Sequence, residues 1–155
     1  TMGLVEALSA AIQVAFAWLW TGSVLYVTYA VLPVGRAGDI NAAPLSMLTG
    51  KLTTISRLSA VILLLTGGHL AGTGYTVTSL TRSPRGHLVL AMVLLWLALA
   101  ALVEIGAGRL ADGTDETKVR APAREATRIF QAASVVALLL LLVAGALAGD
   151  LPAQL

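Results

Sequence analysis

The chain has 155 residues, of which 57% are hydrophobic and only 12% charged, and its mean hydropathy is +0.87. A water-soluble domain carries about twice that charged fraction, which excludes a soluble globular fold. A net charge of just +2 gives no basic footprint for nucleic acid. The absence of cysteine removes disulfides, thiolate metal sites and redox thiols.

Four stretches, 7–32, 55–75, 88–107 and 129–148, are apolar for long enough to cross a bilayer, whose hydrocarbon core takes roughly 20 residues of helix. Lipid forces each backbone polar group to bond internally, so glycine and β-branched residues inside these runs do not argue against helix. A β-barrel would show short alternating runs instead. The expected fold is an all-α integral membrane protein, one transmembrane domain built as a four-helix bundle.

The first span, about 7–32, lacks a basic n-region and a small-residue cleavage site, so it reads as a retained helix that also targets the chain to the membrane. Glu6, Ser9 and Gln13 lie near its start, Trp18 and Trp20 deep within it, and Tyr26 and Tyr29 where aromatic anchors belong. GRAGDIN (35–41) reads as a loop. Pro44 suits the first turn of a helix, so the second span is expected over about 44–75. There Ser59, Thr66, His69, Thr73 and Thr76 follow a helical repeat, which predicts one polar face turned to the bundle interior. Gly68-x-x-x-Gly72, and Gly145-x-x-x-Gly149 in the fourth span, fit close helix contact.

The third span, about 87–108, opens on His87 and carries Met92, Trp96 and Glu104. LADGTDETKVRAP (110–122) reads as a charged loop, and Pro122 opens a fourth span over about 122–148 with Arg124 and Arg128 on its first turns. Eight of the ten basic residues fall in the loops after spans one and three or beside them, and the terminal tails have none. The positive-inside rule therefore predicts both termini on the outer side, together with the 75–87 connection. The location implied is the plasma membrane of a prokaryote, as a multi-pass protein.

Polar side chains at membrane depth are costly and default to functional hypotheses. His69 and His87 flank the outer connection, which predicts that the two imidazoles approach each other. Imidazole suits copper, and a thioether such as Met92 favours Cu(I), although Met92 lies about 140° around the helix from His87. The alternatives are a hydrogen-bonded structural His69 and an interfacial His87. Gln13, Thr66, Thr73 and Trp20 are expected to line a cavity in the outer half. At the inner end, Glu104 is expected to pair with Arg57 and Arg128, either as a structural ion pair or as a proton relay.

WLWTGSVLYVTYAVLPVGR (18–36) resembles the first-span signature of CopD-type copper-resistance membrane proteins, through Trp20, Gly22 and Pro33. KLTTISRLSAVILLLTGGHLAG (51–72) is similar to the family's next span, ending in Thr66-Gly67, and SPRGHLVLAMVLLWLALAALVEIGAGRL (83–110) to a following span led by Gly86. Related HemJ-like proteins share the four-span layout. The resemblance implies a membrane protein that binds or transports copper. The alternatives are a b-type haem protein with His69 and His87 as axial ligands, and a non-catalytic structural or accessory bundle. No Ser/His/Asp set, HExxH or phosphate-binding glycine loop is present, so no enzyme chemistry is expected. The partners expected are the lipid bilayer, a metal ion and further copies of the chain, since four helices enclose little space.

Overall fold

The computed structural model describes residues 3–74 and 81–148. Every regular element among them is helical. The first span joins α1 (Leu4–Tyr26), a π-helical turn (Val27–Val31) and α2 (Leu32–Ala37) into one continuous rod of 34 residues. The others are α3 (Ala42–Gly74), α4 (Pro84–Asp115) and α5 (Arg120–Ala148). All four rods are long and apolar enough to cross a membrane, so the protein is a multi-pass membrane bundle, as the hydropathy predicts. Each helix packs on its neighbours in sequence, and α5 returns to α1 to close the ring. The end bearing His69 and His87 is termed the histidine end, and the opposite one the basic end.

Local chemistry explains where the rods bend and stop. Pro33 has no N–H, and in a regular helix its ring collides with the carbonyl one turn back. The chain runs through it on a widened turn, in which the Leu32 N–H donates to the Val27 carbonyl five residues earlier. The rod ends at Gly38, whose φ of 75° is the left-handed conformation glycine adopts without cost. Gly38 N–H bonds the Gly35 carbonyl and Asp39 N–H the Val34 carbonyl, both at 3.0 Å, which satisfies the last turn's acceptors. At the other end of the bundle, Ser83 caps α4 by accepting from Gly86 N–H at 2.9 Å, with Pro84 at the first helical position.

The loops at the basic end are shorter than hydropathy predicts. The stretch 110–122 is not a loop: α4 continues to Asp115, and only residues 116–119 connect it to α5. Likewise Gly35, Arg36 and Ala37 of the expected GRAGDIN loop are helical. Hydropathy reports where lipid ends, whereas a helix persists into water wherever one face still packs. Leu110 and Thr114 are buried beyond the apolar run, and the Pro122 ring lies against Gly113 so closely that a Cβ there would meet it at 2.4 Å.

Lipid tails are as apolar as leucine, so helix association in a membrane relies on close packing. On α5 the buried residues Ala123, Ala126, Phe130, Ala133, Ala137 and Leu140 recur at three and four residues, a stripe of small side chains interrupted by one large ring. That ring sits on Gly106 of α4, where a Cβ would stand 2.8 Å from Phe130. Gly35 of α2 meets Ala123 in the same way, at 2.9 Å. The predicted close contacts of the Gly-x-x-x-Gly motifs are not made: Gly68, Gly72 and Gly145 have nothing within 4 Å of an added Cβ, and Gly149 lies outside the described residues. Spacing alone does not say which face of a helix carries the neighbour. Gly106→Ala is therefore expected to destabilise by about 1–3 kcal/mol through overpacking, whereas Gly68→Ala leaves stability unchanged or slightly raised; unfolding in mixed micelles measures both.

Candidate functional site

At the histidine end the four helices enclose a cavity of about 160 Å³. Gln13 and Ala17 of α1, Leu63 and Gly67 of α3, Met92 and Trp96 of α4, and Leu140 and Ala144 of α5 contribute to its wall. Glycine and alanine at the closest approaches leave the space, and the large side chains at Leu63, Met92 and Trp96 bound it. Gln13 is held from α3: its side-chain amide hydrogen-bonds the Thr66 hydroxyl and packs over Gly67, 3.4 Å from an added Cβ. Thr66 also meets the Ile62 carbonyl at 2.8 Å. A hydroxyl has one proton, so Thr66 Oγ1 donates either to Gln13 Oε1 or to the Ile62 carbonyl.

Of the predicted cavity residues, Gln13 lines the space and Thr66 anchors it from one layer back. Trp20 does not belong to the wall; it is completely buried in the core, one turn beyond Ala17. The Thr73 side chain and Thr76 lie outside the described residues.

The predicted polar face of α3 turns inward over only part of its length. Ser59 is buried, Thr66 half-buried and His69 exposed. Ten residues of helix carry His69 about 80° round from Ser59, which is enough to leave the bundle axis. His87, also exposed, places Nε2 2.7 Å from the Thr81 carbonyl oxygen. A carbonyl only accepts, so Nε2 is the donor. The two imidazoles thus sit at one end of the bundle on successive helices, while Met92 turns to the cavity. Among the described residues no three histidine, aspartate or glutamate side chains gather as a metal cluster.

The basic end carries the predicted ion pair. Arg57 of α3 grips Glu104 of α4 with two bonds, Nε–Oε1 at 2.8 Å and Nη2–Oε2 at 3.1 Å, the fork geometry specific to guanidinium. Arg128 stands apart, exposed on α5. Glu104 lies about 200° round α4 from Gly106, the residue against which α5 docks, so it faces α3 instead. The pair borders a groove with Thr49, Gly50, Thr53 and Thr54. In the connection to α5, Lys118 bonds Glu116 at 2.9 Å. That contact holds the Glu116 carboxyl below the usual range and raises the Lys118 ammonium.

A buried polar knot passed unnoticed in the sequence. Ser134 Oγ donates to Thr28 Oγ1 at 3.1 Å or to the Phe130 carbonyl at 2.8 Å, and Thr28 reaches the carbonyls of Val24 and Phe130 at 2.7 and 3.2 Å. It ties the π turn to α5. The available signal was a serine and a threonine inside apolar spans, each of which bonds the carbonyl four residues earlier and has to be buried against a neighbouring helix. Four other buried polar atoms have no partner among the described residues: Trp20 Nε1, Thr21 Oγ1, Ser59 Oγ and Trp96 Nε1.

In comparisons with protein-family models, curated proteins and solved structures, nothing matches this chain.

Two outcomes follow from these polar contacts. Glu104→Gln alone is expected to destabilise more than the Arg57→Gln, Glu104→Gln double variant, because the single change leaves an uncompensated guanidinium on a membrane-spanning helix; denaturant titration of both in lipid–detergent mixtures gives the order. Ser134→Ala is expected to cost about 0.6–1.7 kcal/mol, the range for a hydrogen bond between transmembrane helices, read by the same titration.

Proposed function

We propose that the protein is a CopD-like membrane protein that binds copper at its outer face, as a step in copper transport. The observation that supports this reading is the placement of His69 and His87, both accessible at one end of the bundle on successive helices. Imidazole nitrogen is a good donor to copper, and the hydrogen bond from His87 Nε2 to Thr81 orients the ring with Nδ1 open, as an outer-shell carbonyl does for a metal-bound histidine. Two imidazoles make a labile site, suited to receiving and releasing an ion rather than storing it. Movement across the bilayer then takes a path between associated copies, because the cavity at the histidine end is apolar. The haem alternative has no comparable support, since no imidazole belongs to the wall of that cavity.

Anaerobic Cu(I) titration of the purified chain against a competing chelator tests the proposal. His69→Ala and His87→Ala are each expected to weaken binding about 10-fold or more, since changes to outer-shell partners alone already have effects of that size. Unchanged Cu(I) affinity in both variants overturns it. Lowered thermal stability with no ligand lost supports the non-catalytic structural bundle instead.

A further inference from the structure

The first turns of α5 carry three arginines, Arg120, Arg124 and Arg128, all exposed. Each step of four residues moves about 40° round the helix, so the three form a ladder within about 80°. Nothing in the helix itself favours them there. Like charges at that spacing repel, and cations at a helix N-terminus oppose its dipole, whose positive end they share. Among the described residues none of the three forms an ion pair. The carboxylates of this end lie elsewhere. Glu125, three residues before Arg128, turns into a groove with Glu104, Asp112 and Glu116, two of which already pair with Arg57 and Lys118.

The ladder also stands at a particular depth. Arg128 immediately precedes the apolar run that starts at Ile129. Arg124 stands about 6 Å further out and Arg120 about 12 Å, at 1.5 Å per residue. The headgroup layer beyond the hydrocarbon is roughly 5–8 Å thick on each side, so Arg124 and Arg128 bracket it. Towards the bilayer centre the same face continues as Val135, Leu139 and Leu142, all exposed and within about 60° of Arg124. The buried stripe of α5 faces the bundle instead. One face thus offers two guanidinium groups at headgroup depth above an apolar track in lipid.

We propose that this face of α5 binds one anionic phospholipid, its phosphate bridged by Arg124 and Arg128 and its chains lying along Val135, Leu139 and Leu142. The guanidinium fork matches phosphate oxygens in geometry, and the anion relieves both the mutual repulsion and the opposition to the dipole. Arg120, whose guanidinium lies against Gly38 at the end of the first rod, adds positive charge above the phosphate. Free phosphate has no use for the apolar track, and an acidic protein segment needs no apolar surface at membrane depth. The site is at the opposite end from the histidines and stands or falls separately from copper.

Native mass spectrometry of the full chain in detergent micelles counts the lipids retained. The probes are dioleoyl phosphatidylglycerol and dioleoyl phosphatidylcholine, which share their chains and differ in net charge. Phosphatidylglycerol is expected at one per chain and preferred about 25-fold, at about 5-fold for each arginine near the headgroup. Arg124→Gln and Arg128→Gln each lower that preference about 5-fold, and the double variant removes it. Arg109→Gln, which takes the same charge from the groove on the α4 side, leaves it unchanged. Equal retention of the two lipids by the unsubstituted chain overturns the proposal. An equal loss in Arg109→Gln also overturns it, because the preference then belongs to the net charge of the whole end. Displacement by inorganic phosphate at the concentration of the lipid does the same, since the ligand is then free phosphate. Should the double variant fail to fold, the single variants judged against Arg109→Gln decide.

Discussion

The contact between Phe130 and Gly106 sets the geometry on which the remainder of the bundle depends. Between helices in lipid there is no gain from removing apolar surface from water, so association has to come from dispersion at short range and from interhelical polar bonds. A ring seated where a neighbouring helix has no side chain brings α4 and α5 into close approach. The alanines above and below it on α5 let that approach continue along the helix. Gly35 against Ala123 repeats the device for the first span, and Pro122 against Gly113 extends it past the membrane into the connection.

Close packing also governs where polar groups are tolerated. The hydroxyls of Thr28 and Ser134 are buried because each bonds the carbonyl four residues earlier in its own helix, and their mutual bond crosses from one helix to the next. Arg57 and Glu104 lie on partly exposed sides of α3 and α4, with side chains 68% and 44% accessible, and neutralise each other through two hydrogen bonds. Gln13 and Thr66 solve the same problem at the opposite end with uncharged groups. The exceptions among the described residues are Trp20 Nε1, Thr21 Oγ1, Ser59 Oγ and Trp96 Nε1, which are buried without a partner.

Function divides along the same axis. The histidine end has accessible imidazoles over an apolar cavity. The basic end has charge pairs and short, capped turns, the chemistry of a closed base.

Much of this was legible in one dimension. Four apolar runs in a chain with few charges determine four membrane helices, because a backbone in lipid has no other way to satisfy its polar groups. The pairing of Glu104 with Arg57 was readable too, since an unpaired charge at that depth is too costly to leave. Tertiary structure alone decided which small residues meet a neighbour, namely Gly106 and Gly35 rather than Gly68 and Gly72, because that depends on which face of each helix is turned inward. It decided that Trp20 fills the core, that His69 leaves the polar stripe, and that α4 runs on to Asp115. Hydropathy measures the thickness of lipid; the rotation and length of a helix are set by what packs against it.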